Sequence, residues 1–223
     1  IISAIKVKVF FERIKMSDNF KTTSDIFEAE ITEKKSRFIA TIAPVSSEEE
    51  AVSFIKDMKK KYWNARHNCS AYIIGTQQQI VHSSDDGEPQ GTAGKPILSV
   101  LSGRKLYNVV AVVTRYFGGV LLGTGGLVRA YSSAVEECLS KAVLKEMIEA
   151  SRVKIEVSYN DAGKLQYLFS QNNITILSAD YTDVVTFDIL LPSGTEDFII
   201  KKITEATQNR ASVDITDKNY YEL

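Results

Sequence analysis

The sequence predicts an α+β protein of two domains, the second a ferredoxin-like βαββαβ unit. Three observations lead there. Apolar residues switch repeatedly between the two-residue repeat of strands and the 3.6-residue repeat of helices. The last stretch, from "ASRVKIEVSY" to "ASVDITDKNYY", reads strand, helix, strand, strand, helix, strand. The charge also changes near residue 147: residues 1–16 carry +3, 17–146 carry +1 and 147–223 carry −5. The domains expected are therefore 17–148 and 149–223, preceded by an extension over 1–16 with Met16 read as the natural start.

The elements follow in order. "IFEAEITEKKSRFIATIAPV" is a hairpin whose strands alternate around the polar connection Glu33–Arg37. "SSEEEAVSFIKDMKKKY" is a helix with Ser47 and Glu50 as a capping box, acidic residues first and lysines last. Its apolar stripe is Ala51, Val52, Phe54, Ile55 and Met58. "NCSAYIIG" is a strand, followed by the turn-rich "SSDDGEPQGTAGKP" and a short helix "ILSVLSG" ended by Gly103. "YNVVAVVTRYF" is apolar almost throughout, as a central strand buried on both faces must be. A helix over about 125–145 buries Leu127, Tyr131, Ala134, Val135, Cys138, Leu139, Ala142 and Val143. In the second domain "NDAGKLQYLFSQNN" is a helix capped by Asn160 or Asp161, "ITILSADY" and "DVVTFDILLP" form a hairpin, and "SGTEDFIIKKITEATQN" is the last helix.

Composition narrows the function classes. Apolar residues make up 44% and charged residues 25%, the balance of a soluble globular chain with a core. No run approaches a membrane span, so no membrane partner is expected. Two cysteines build no disulfide framework, and reduced thiols suit a cytoplasmic protein. With only His67 and His82, a multi-His zinc site is excluded and no metal or other cofactor is expected. A net charge of −1 is no global basic footprint, so any RNA contact must come from a local cluster in the first two thirds.

That cluster has a focus. Five of the twelve glycines, Gly118, Gly119, Gly123, Gly125 and Gly126, fall within nine positions between the apolar strand and the long helix. A helix N-terminus attracts anions, and glycines let a phosphate approach the backbone. Arg129 lies one turn in, where a cation opposes the helix dipole by about 0.3–1 kcal/mol, so it calls for an anionic partner. Arg115 ends the preceding strand, and Lys34, Lys35 and Arg37 sit at the hairpin. Two readings compete. In one these residues bind a polyanion. In the other the glycines only allow close packing, with Arg129 paired to Asp85, Asp86 or Glu88. Those three carboxylates are themselves either a hard-cation site or an Asx-rich turn. Tyr116 and Phe117 are either bases' stacking partners or core. The spacing is not that of a P-loop, and no lysine follows the last glycine. His67 and Cys69 share a strand face, but a strand-borne Cys lacks the helix N-terminus that lowers a thiol's pKa, so Cys69 is read as packing and no catalytic residue is assigned.

The stretches "KKSRFIA", "HNCSAYIIG", "SSDDGEPQGTAGKPIL" and "AVVTRYFGGVLLGTGGLVRAYSSAV" resemble the YigZ/IMPACT family over about residues 25–145, and the two-domain order resembles its bacterial members. The resemblance implies a first domain with the two-layer α/β fold of a small-subunit ribosomal protein and of elongation factor G, and a second like that factor's last domain. It also implies a role near translation, since eukaryotic members regulate it by competing for an activator of a starvation-responsive kinase. The partners expected are thus RNA or the ribosome, or a translation-regulatory protein. The alternative is a phosphoryl transferase or hydrolase working at the glycine-rich helix start. Oligomeric state is not set by the sequence.

Overall fold

The computed structural model describes residues 19–76 and 79–222. The extension read over 1–16 lies outside the described residues. The α+β class holds: ten strands and five helices are described, and the chain divides into two compact units, one over 20–146 and one that includes 147–222.

The first unit begins with β1 (Phe20–Thr23), tied to the segment after the second helix by Lys21, whose N–H reaches the Lys105 carbonyl at 2.7 Å. Strands β2 (Phe27–Glu33) and β3 (Ser36–Pro44) form the expected hairpin, closed by only two residues. Helix α1 (Glu48–Lys61) is followed by β4 (His67–Ile74) and β5 (Ile80–Ser84), then α2 (Gly94–Gly103), β6 (Val109–Tyr116) and α3 (Thr124–Lys141). The sheet is antiparallel with order β2-β3-β6-β4-β5.

Alternation along β6 explains its apolar run. Val109, Ala111 and Val113 face α2 and α3, packing with Phe38, Ile97, Leu101, Tyr131 and Val135. Val110 and Val112 face α1 with Tyr72, Ala51 and Ile74. Of the stripe read for α1, Ala51 is buried and Phe54, Ile55 and Met58 pack at the edge, while Val52 is turned to solvent. Half of its capping box forms. Ser47 Oγ accepts the Glu50 N–H at 3.3 Å, but the Glu50 carboxylate bonds Ser46 N at 2.7 Å.

The long helix stops earlier than its spacing predicts. Ala142 is extended and Val143 is 67% exposed, because β7 (Leu144–Val157) has begun. A strand that pairs from Met147 onward with the last strand outcompetes two more helical positions.

The second unit continues with α4 (Tyr159–Gln171), β8 (Thr175–Tyr181), β9 (Val185–Pro192), α5 (Glu196–Thr207) and β10 (Ser212–Glu222). Its strands pair antiparallel in the order β10-β7-β9-β8, as a βαββαβ chain requires for its two helices to share one face. That face buries Val153, Ile155, Phe187 and Ile189 under Leu165, Phe169, Ile199 and Ile203. The N-cap of α4 is Ser158, ahead of the Asn160 or Asp161 that the sequence suggests. Asp161 instead sits buried in the first turn, held by Arg210 and by Lys164 at 2.8 Å.

Candidate functional site

The glycine-rich segment turns the chain from the end of β6 to the start of α3. Its first half is a packing device. A Cβ on Gly118 would lie 2.0 Å from the carbonyl carbon of Lys35, so the loop presses on the β2–β3 turn. Ser36 Oγ accepts the Gly118 N–H at 3.2 Å. Lys34 and Lys35 form that turn with φ of 45° and 66°, and both side chains are exposed. The fold thus brings the "KKSR" turn against Gly118. Arg37 is spent in part on Glu30, which it grips with two bonds at 2.8 and 2.7 Å.

The second half is open. Gly123 caps α3 with φ 72°, a backbone most side chains avoid, and among the described residues no side chain caps the first N–H groups of α3. Gly125 is exposed and Gly126 half-buried against Leu122. Arg129 is exposed. Its Nη1 lies 3.7 Å from where a Gly125 Cβ would sit, so the guanidinium folds back over the first turn.

The ion pair considered for Arg129 belongs to Arg115. Arg115 is 6% exposed, and its Nη1 donates to Glu88 Oε1 at 2.6 Å. Tyr131 donates to the same oxygen at 2.8 Å. Nη2 reaches Ser36 Oγ at 3.5 Å, while Nε has no hydrogen-bond partner among the described residues. The rings of Phe38 and Phe117 lie 5.4 and 5.6 Å from the guanidinium carbon. Arg129 has no carboxylate partner among the described residues.

The acidic stretch is a structural loop. Asp85 accepts N–H groups of Gly91, Ala93 and Gly94 at 2.7–3.0 Å and so caps α2. Burial pushes its carboxyl up, but these three donors win and hold it below the ordinary value. Asp86 takes Lys59 Nζ at 2.6 Å and the Asn68 N–H at 2.7 Å. The three carboxylates therefore face different partners, and no group of three or more His, Cys, Asp or Glu is arranged for a metal among the described residues. Cys69 is buried, bonded to the Asp85 carbonyl and to Tyr131 Oη, and burial pushes its thiol up to about 12. It is no nucleophile at neutral pH.

Beside the start of α3 lies a cleft of about 360 Å³ lined by Arg66, His67, Arg115, Phe117, Leu121 and Gly123 among others. His67 Nδ1 bonds the Asp86 carbonyl at 2.8 Å, which makes Nδ1 the donor. Arg66 is exposed with its guanidinium 6.0 Å from the Phe117 ring. A larger groove of about 630 Å³ opens between α4 and α5, but its charged groups are engaged, Lys202 with Asn172 at 2.7 Å and Lys164 with Asp161. The sequence reading missed Arg66, which sits between helix and strand without a pattern, and the polar role of Tyr131. The signal for Tyr131 was a hydroxyl on a buried stripe, which must find a partner.

Fold and cleft define a two-domain α+β protein with a basic, glycine-built corner in its first half. The family model described as the Impact N-terminal domain matches residues 34–139, and one described as a domain of unknown function (DUF1949) matches 155–210. The chain is 38% identical over 207 residues to the IMPACT family member YvyE of Bacillus subtilis, covering 93% of this chain and 95% of that one. It is 37% identical over 163 residues to the IMPACT family member YigZ of Escherichia coli, covering 72% and 80%. A crystal structure described as that of a hypothetical protein superposes with a TM-score of 0.57 at 30% identity, over 91% of this chain and 99% of that one. The chain belongs to the IMPACT family.

Proposed function

We propose that this IMPACT-family chain is a non-catalytic, cytoplasmic protein that acts near translation by holding RNA, on the ribosome or free, at the corner between β6 and α3. The observation that carries the reading is Arg129. A cation in the first turn opposes the helix dipole, and the carboxylate that would relieve it is not supplied by the described residues. An external phosphate relieves it and also satisfies the uncapped N–H groups of α3. Lys34 and Lys35, in the turn packed against Gly118, and Arg66, on the wall of the cleft, add exposed charge. A phosphoryl-transfer reading finds less support: Cys69 and Tyr131 are buried with their acidities suppressed, and Asp85, Asp86 and Glu88 are each engaged.

The test is charge reversal. Arg129→Glu weakens association with RNA or ribosomes and lowers the log–log salt slope by about 0.7–0.9 for each phosphate no longer neutralised. Its melting temperature holds or rises slightly, since Glu suits a helix N-terminus. Wild-type protein that sediments free of ribosomes and shows no salt-dependent RNA binding sinks the reading.

A further inference from the structure

We infer that the cleft beside the start of α3 seats one unpaired nucleotide of a single-stranded RNA, with its base against Phe117 and Leu121 and its phosphate toward Arg129, Arg66 and the first N–H groups of α3. This rests on the polyanion reading above and goes beyond it by choosing the state of the strand.

Three features carry it. The first is exposed apolar surface at the cleft. Phe117 is 41% and Leu121 83% exposed, although both follow a strand whose other apolar residues are buried. Phosphate binding alone has no use for them. A duplex keeps its base faces stacked inside, so only an unstacked base offers a π-face to a ring. The second is shape. At about 360 Å³ the cleft is at the small end of ligand sites, which fits one base and excludes a helix. The third is Arg115. It lines the cleft, it is 6% exposed, and its Nε lacks a hydrogen-bond partner among the described residues. A buried donor left over costs stability, and the residue that carries it forms part of one wall of the cleft.

Charge fits the same occupant. The Glu88 carboxylate that lines the cleft is already matched by Arg115, and the exposed charged side chain on the lining that has no carboxylate partner among the described residues, Arg66, is cationic. An exposed guanidinium over a ring is displaceable, and it stacks on bases itself.

Fluorescence anisotropy on the full chain tests this, with a labelled mixed-sequence RNA of about twelve nucleotides and the same strand annealed to its complement. The single strand is expected to bind at least about tenfold more tightly. Phe117→Ala weakens it by about five- to hundredfold with the salt slope unchanged, whereas Phe117→Trp retains binding. Leu121→Ser, at a more exposed position, repeats the loss without a packing change. Equal binding of strand and duplex, or wild-type affinity in both Phe117→Ala and Leu121→Ser, overturns the nucleotide seat and leaves the polyanion reading standing. Binding of neither RNA overturns both.

Discussion

Glu88 Oε1 receives two donors at once, Arg115 Nη1 and the Tyr131 hydroxyl, in a place almost closed to water. Removing one partner of a buried pair strands the other. Glu88→Ala should therefore cost about 3–5 kcal/mol, read as a lower urea midpoint, and the double variant Glu88→Gln with Arg115→Met should recover much of that loss. A midpoint for Glu88→Ala within error of wild type would mean that Arg115 is hydrated after all. Cys69 lies in the same network and its thiol is neutral at ordinary pH. A maleimide should label it only after unfolding, and Cys69→Ala should leave RNA association intact. The reading of Cys69 as packing came from residue type alone. The partner of Arg115 did not, because nothing in local spacing says which of two arginines meets Glu88.

At the scale of elements, Gly118 sets how close the β6–α3 loop comes to the β2–β3 turn. Gly118→Ala forces a Cβ into the Lys35 backbone, so a loss of about 1–3 kcal/mol is expected in thermal melts. The same substitution at Gly125, exposed and already helical, should be neutral or slightly stabilising. Asp161 ties the first turn of α4 to the segment before β10. Hydrogen bonds from Arg210 and then Lys164 hold its carboxyl at about 2, below the ordinary 3.8. A depressed folded pKa stabilises above the unfolded value and is lost as pH falls, so this contribution is complete above about pH 4 and fades toward pH 2. Melts taken across that window should show Asp161→Asn losing less stability with acid than wild type does. Most elements were legible because period and capping residues act within a few positions. The end of α3 was not, because the competitor for residues 142–145 is a strand whose partner lies some seventy residues further on.

At the scale of the molecule, each unit has its own core, and their charges differ. RNA association should belong to a fragment spanning 20–146, and a fragment of 147–223, at −5, should show none. Register sharpens how the second unit should be cut. Residues 147–150 pair with 219–222, so a fragment starting at 147 should keep more slowly exchanging amides in β10 than one starting at 151. Equal protection would show that this end of the β7–β10 ladder adds nothing.

The sequence by itself determined the α+β class, the order of strands and helices, the burial of β6 on both faces and the glycine-rich turn into α3. Each follows from periodicity or backbone freedom within one segment. Only the tertiary structure decided which charges meet. It gave Glu88 to Arg115, Asp85 to the start of α2 and Asp161 to Arg210, and it left Arg129 over an uncapped helix beside a cleft. Such pairings depend on distances between residues far apart in the chain, and those distances are fixed only when the sheets and helices pack.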